Sequence, residues 1–245
     1  MRGFGAIYRR ELAGLFFGPL AWTLLCIALL SNGYLFLVYL RIGGGDIDSA
    51  FRRALGESSV FWAFCVLFPP LLTMRMLSEE ARSGLLEYLL TAPVSDLAVI
   101  CGKFAAALTF MALLWGTVFF YAAVLAFGGA PIDWGLLAAG WVGCVLCSAL
   151  FCATGLWTSS LTGTPIVAAF SAVVLNLCIV MAPMLASLSG NELFARVTAS
   201  VDVPSHLVTS FLLGAVDSAF VVFFAVWTAF FLFLSTRVLE IRRWR

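Results

Sequence analysis

WGLLAAGWVGCVLCSALFCATGLWTSSLTGTPIVAAFSAVVLNLCIVMAPMLASLSGN, residues 134–191, contains no charged side chain. A helix that crosses a bilayer needs roughly 20 mostly apolar residues, so this run is long enough for two. It is interrupted at 158–165, TSSLTGTP, a polar turn carrying Gly163 and Pro165. Two helices joined by a tight polar turn are the reading, with spans at 134–157 and 165–187.

The same logic extends outward. Residues 12–40, 58–74, 104–132 and 218–236 are also free of charge, giving further spans at 19–40, 58–77, 98–127 and 216–236. The chain is 63% hydrophobic and 11% charged, with a mean hydropathy of +1.07, well above the composition of a soluble domain. The apolar runs are continuous rather than alternating, which favours helices over a barrel. The expected fold is a single all-α integral membrane domain over 1–245 with six transmembrane helices. The first apolar run is too long for a cleaved leader, and no lipidation motif stands at either end.

With six crossings both termini share one side. That side would hold Arg2, Arg9, Arg10, Arg75, Arg82, Lys103, Arg237, Arg242, Arg243 and Arg245; the other would hold Arg41, Arg52, Arg53 and Arg196. The positive-inside rule then puts both termini in the cytoplasm. A net charge of +1 argues against nucleic acid as a partner. The Arg242, Arg243, Trp244, Arg245 tail suits an anionic lipid surface.

Residues 4–17, FGAIYRRELAGLFF, place Phe4, Ile7, Tyr8, Leu12, Leu15 and Phe16 at helical spacing, with Arg9, Arg10 and Glu11 between them. This reads as an amphipathic interfacial helix within 1–18, ahead of a turn at Gly18-Pro19, in preference to an extension of the first span. Pro69-Pro70 in the second span would kink or loosen it, as a packing adjustment or as a hinge. The outer segment 188–217 is too polar to cross and too apolar for a free loop, and is expected to form short helices that cap the bundle. Asn176 and Asn32 are expected to make interhelical hydrogen bonds rather than to touch cargo.

Chemistry is sparse. The seven cysteines lie in or at the ends of spans and read as small packing residues. The single histidine, His206, has Asp202, Ser205 and Ser210 nearby, but no nucleophile motif accompanies it. It is expected to be solvated or capping, so no catalytic residue and no metal site is assigned. Cys101-Gly102-Lys103-Phe104 lacks the hydroxyl residue and upstream glycine of a phosphate-binding loop. No ionisable group is expected well inside a span, which argues against an ion-coupled carrier.

Between the second and third spans stands a charged island at 75–96, RMLSEEARSGLLEYLLTAPVSD. Ser83-Gly84 can break the chain, residues 85–92 then make about two helical turns, and Pro93 stops them. Leu85, Leu86, Leu89 and Leu90 cover one side, with Glu87 and Thr91 off it. Such a helix fits either a groove on a soluble partner or the membrane surface.

The stretch 79–96, EEARSGLLEYLLTAPVSD, followed by Gly102-Lys103-Phe104, closely resembles the signature of ABC-2 type transporter permeases, and within them the gliding-motility-associated (GldF-like) subfamily. Arg10-Glu11-Leu12, Gly18-Pro19, Met74-Arg75, Asp133-Trp134-Gly135, Gly155-Leu156, Ser159-Ser160-Leu161-Thr162 and Leu239-Glu240 add to the resemblance. The chain has Leu85 where the family usually has Thr, and Gly163-Thr164-Pro165 where it often shows Asn-Gln.

The resemblance implies a cytoplasmic coupling helix at about 84–93, within a coupling segment 79–96, that seats on a separate ATPase. The residues implied are Glu79, Glu80, Arg82, Gly84, Leu85, Leu86, Glu87, Leu89, Leu90 and Pro93. Tyr8, Arg9, Arg10 and Glu11 would form the elbow helix. It further implies two ATPase subunits that bind the ATP, a second identical or related permease, and export across a bacterial inner membrane. The chain itself would hold no cofactor and catalyse nothing. The rival readings are an intramembrane enzyme using His206 and a membrane scaffold.

Overall fold

The computed structural model describes residues 3–84, 94–189, 198 and 201–243, with backbone only at 187–189 and 243. Among the described residues regular structure is helical throughout. The order is α1 (Phe4–Phe17), α2 (Pro19–Ile42), α3 (Ile47–Arg52), a π-helical turn (Arg53–Glu57), α4 (Ser59–Ser83), α5 (Asp96–Phe127), α6 (Trp134–Leu161), α7 (Pro165–Ser189), α8 (Val203–Thr209), a 3-10 turn (Phe211–Leu213) and α9 (Ser218–Arg243). Six of these, α2, α4, α5, α6, α7 and α9, are long and apolar enough to cross a membrane. The fold is an all-α multi-pass membrane protein. By parity the start of α2 and the end of α9 lie at one face of the bundle, the terminal face, together with the end of α4 and the start of α5.

Helix α6 is the hub, packing against α4, α5, α7, α9 and the far-face cap. Hydrocarbon tails are as apolar as leucine, so helices in a bilayer associate through close packing and hydrogen bonds. Small residues along α6 allow that approach. A Cβ placed on Gly155 would fall 2.2 Å from Thr73 Oγ1 of α4, and one on Gly143 would fall 2.6 Å from Leu207 and 2.7 Å from Phe211 of the cap. The indole of Trp115 on α5 donates to Ser148 Oγ of α6 at 2.8 Å, so its buried polar edge is satisfied.

Helix α4 runs through both Pro69 and Pro70 and extends to Ser83, beyond the expected end of that span. Pro70 has no N–H to offer the Val66 carbonyl four residues back. Asn176 of α7 supplies a donor instead, through a long contact of 3.5 Å from Nδ2. Its Oδ1 lies 2.6 Å from the Thr154 hydroxyl of α6, which also reaches the Phe151 carbonyl at 2.8 Å. Asn176 thus joins α4, α6 and α7, the interhelical link expected of it. Asn32 is buried on α2 but makes no side-chain hydrogen bond among the described residues.

The far face is closed by packed helical turns. Asp46 caps α3 by accepting from the Asp48 and Ser49 amides, and Phe51 stacks on Phe36 at 4.6 Å. The first far-face connection, Gly-rich and mixed in charge, therefore contains a buried element around Ala50, Phe51 and Leu55. From the connection between α7 and α9, Val203, Leu207, Phe211 and Leu212 are buried beside it. The expected capping helices are present where that segment is described; 190–197 and 199–200 lie outside the described residues.

Candidate functional site

At the terminal face the amphipathic pattern of 4–17 becomes α1, laid across the start of α5. Gly102 makes the crossing possible: a Cβ there would stand 3.0 Å from Ile7 Cγ2. About two turns further along α5, the Tyr8 hydroxyl lies 3.1 Å from Thr109 Oγ1. Arg9 is exposed. Glu11, grouped with the polar residues by its position in sequence, belongs instead to the inward stripe with Ile7, Tyr8 and Leu15.

Glu11 faces Lys103, the largest departure from expectation. Counted as a surface cation, Lys103 is wholly buried. Its ammonium lies 2.9 Å from Glu11 Oε1 and 2.8 Å from Glu80 Oε1. Arg10 Nη2 lies 2.6 Å from the same two carboxylate oxygens. Two cations and two anions from α1, α4 and α5 therefore close a neutral cluster, which is how charges withdrawn from water are tolerated. Glu80 Oε2 is buried and has no hydrogen-bond partner among the described residues. Burial by itself would raise the Glu11 carboxyl, but Lys103 and Arg10 outweigh it and hold it below the ordinary carboxylate value. The hydrogen bond to Glu11 raises the Arg10 guanidinium above its usual range against the opposing effect of burial.

Glu79 and Arg82 are exposed on the last turns of α4. Gly84 ends the helix in the left-handed region, at φ 76°, the conformation glycine adopts most readily. Leu85, Leu86, Glu87, Leu89, Leu90 and Pro93 lie outside the described residues. Among the described residues the chain resumes at Val94, whose side chain occupies the space that a Cβ on Gly3, just ahead of α1, would need. Ser95 then caps α5, accepting from the Ala98 amide at 3.3 Å. The described residues that flank 85–93 thus lie beside α1, Glu80 paired with Arg10 and Val94 next to Gly3.

Behind the cluster, the Ser159 hydroxyl of α6 accepts from the Leu77 and Ser78 amides at 3.3 and 3.1 Å and donates to the Met74 carbonyl at 3.0 Å. Ser78 Oγ also donates to that carbonyl. The stem of the island is therefore latched to the hub helix by main-chain contacts.

His206 is elsewhere, on the far-face cap. Its ring packs against Phe220 and Phe223, with centroids 4.6 and 4.7 Å away. The Ser205 hydroxyl turns to Asp202 at 2.6 Å. Among the described residues no group of three or more His, Cys, Asp or Glu side chains could hold a metal.

Six long apolar helices, four of them packed on a fifth, the hub α6, with exposed charged residues on the last turns of α4, define a multi-pass membrane protein. The chain matches the family model for ABC-2 family transporter protein over residues 18–172, more than half its length, and it belongs to that family. It is a permease component of an ABC transporter, and membership implies association with an ABC ATPase. No curated protein matches the chain. The match begins at Gly18, so Arg10 and Glu11, which complete the charge cluster, precede the matched region.

Proposed function

We propose that the chain is the transmembrane subunit of an ATP-driven ABC-2 exporter, akin to the gliding-motility-associated (GldF-like) permeases, in a bacterial inner membrane with both termini cytoplasmic. Two permeases, identical or related, face each other across the path, and two separate ATPase subunits bind and hydrolyse ATP. The segment around 84–93 seats on an ATPase through Leu85, Leu86, Leu89 and Leu90, while Arg82 and Glu87 set its orientation by charge.

One observation carries this reading: the helices on either side of that segment, α4 and α5, are joined to each other and to α1 by Glu80, Lys103, Arg10 and Glu11. A displacement of the segment moves α4, α5 and the elbow helix together, because Glu80 and Glu11 both hold the buried Lys103, with the half-exposed Arg10 beside them. Buried pairs resist separation, since removing one partner costs about 3–5 kcal/mol. Force delivered at the terminal face would therefore pass into the bundle as a rigid-body tilt. The packing of His206 between phenyl rings, with Ser205 engaged by Asp202, favours this over an intramembrane enzyme.

The test is to replace Glu87 with Arg and Leu89 with Asp, then co-purify with the ATPase. Loss of binding and of stimulated ATP turnover is expected; unchanged binding overturns the docking assignment. A reporter fused after Arg245 that proves periplasmic overturns the orientation.

A further inference from the structure

At the terminal face a groove of about 690 Å³ separates the α1–α2 elbow from the last half of α4. Leu71, Leu72, Arg75 and Glu79 line it from α4 in that order, beside Glu11 and Glu80, whose carboxylates are held by Lys103. Arg75 and Glu79 are both exposed. They stand four residues apart, about 6 Å along the axis, a spacing at which opposite charges commonly pair on a helix. Here they do not pair, and neither has an ion-pair partner among the described residues.

The order along α4 is informative: apolar at 71 and 72, cation at 75, anion at 79. A zwitterionic phospholipid presents the complementary order from its tail outward, first acyl chain, then phosphate, then ammonium. Helix α1 lies along the same rim, so the groove sits where a headgroup would.

We infer that this groove is a seat for an aminophospholipid of the ethanolamine type. Arg75 takes the phosphate, Glu79 the primary ammonium, and Leu71 and Leu72 the first carbons of a chain. A primary ammonium can donate hydrogen bonds to a carboxylate; a trimethylated one cannot, and a glycerol headgroup offers no cation. Charge-assisted hydrogen bonds are about twice as strong as neutral ones. The inference goes beyond the transport reading and needs only that the bundle cross a membrane.

The test is native mass spectrometry of the full-length chain, purified without an ATPase, titrated with phosphatidylethanolamine, phosphatidylcholine and phosphatidylglycerol of identical acyl chains. Retention of the ethanolamine lipid should exceed both others about fivefold, the upper range for one exposed charge contact. Glu79→Gln should remove that preference while leaving phosphatidylglycerol binding unreduced, and Arg75→Gln should weaken binding of the ethanolamine lipid. Equal retention of the three headgroups would mean ordinary boundary lipid and overturn the inference. So would tightest binding of phosphatidylglycerol, which would mean a basic patch only. The headgroup comparison on the unmodified chain decides the matter even if a variant fails to fold. Because no ATPase is present, failure here leaves the transport reading standing, and failure of docking leaves the groove standing.

Discussion

Lys103 and Glu80 meet at 2.8 Å, ammonium to carboxylate oxygen, at the point where α5 begins and α4 ends. The lysine is fully buried, so the pair joins the two helices that flank residues 85–93. Replacing Lys103 with Met would leave Glu11 and Glu80 facing each other with Arg10 alone between them. The expected loss is about 3–5 kcal/mol, read as a fall in thermal unfolding temperature of the purified protein. An unchanged melting temperature would mean that the cluster holds nothing together.

The same cluster sets a pH dependence. Glu11 is held below its ordinary pKa of 4.5 in the folded chain, so the unfolded chain takes up its proton first as acid is added. Its contribution is complete above that ordinary value and is lost as pH falls through the lower folded value. Melting curves of the wild type and Glu11→Gln should therefore differ most above pH 4.5 and converge in stronger acid. Curves that stay parallel down to the acid limit would contradict the assignment.

Gly155 has its own test. A methyl group there meets the Thr73 hydroxyl at 2.2 Å, inside the α4–α6 contact. Gly155→Ala should destabilise by about 1–3 kcal/mol, the usual cost of overpacking. Combining it with Thr73→Ala should recover part of that loss, a coupling that a double-mutant cycle measures directly. Strict additivity of the two changes would place the clash elsewhere.

Asn176 links three helices inside the bundle. Asn176→Leu should cost only about 1 kcal/mol, since hydrogen bonds between helices in membranes are individually modest. Stability close to wild type with transport abolished would reassign Asn176 to contact with the cargo.

Much of this architecture is written in local patterns. Uncharged runs locate the six long helices, because a bilayer imposes a minimum apolar length. Gly84 marks the end of α4, and the 3.6-residue spacing of Ile7, Tyr8 and Leu15 marks α1. The charge cluster is not local: Lys103 and Glu11 are 92 positions apart. Nothing in the spacing of either residue names the other. The available clue was energetic, since a lysine early in an apolar helix needs either water or a carboxylate. Glu11 offered a second clue by falling on the apolar face of its own helix. The buried turn after α3 was missed because a few residues with glycine and mixed charge carry too little periodicity to distinguish a packed element from a loop. The docking leucines remain a reading of sequence, since they lie outside the described residues.

The Ser159 hydroxyl grips α4 only by peptide groups, at Met74, Leu77 and Ser78. Such a clasp takes nothing from the Leu77 side chain, and the Ser78 hydroxyl only shares the Met74 carbonyl with it. Replacements there that keep the helix and its packing would leave it intact, whereas losing one oxygen atom from the other partner would release it. Tolerance to mutation should accordingly be lopsided across this contact, broad along α4 and narrow at a single position of α6.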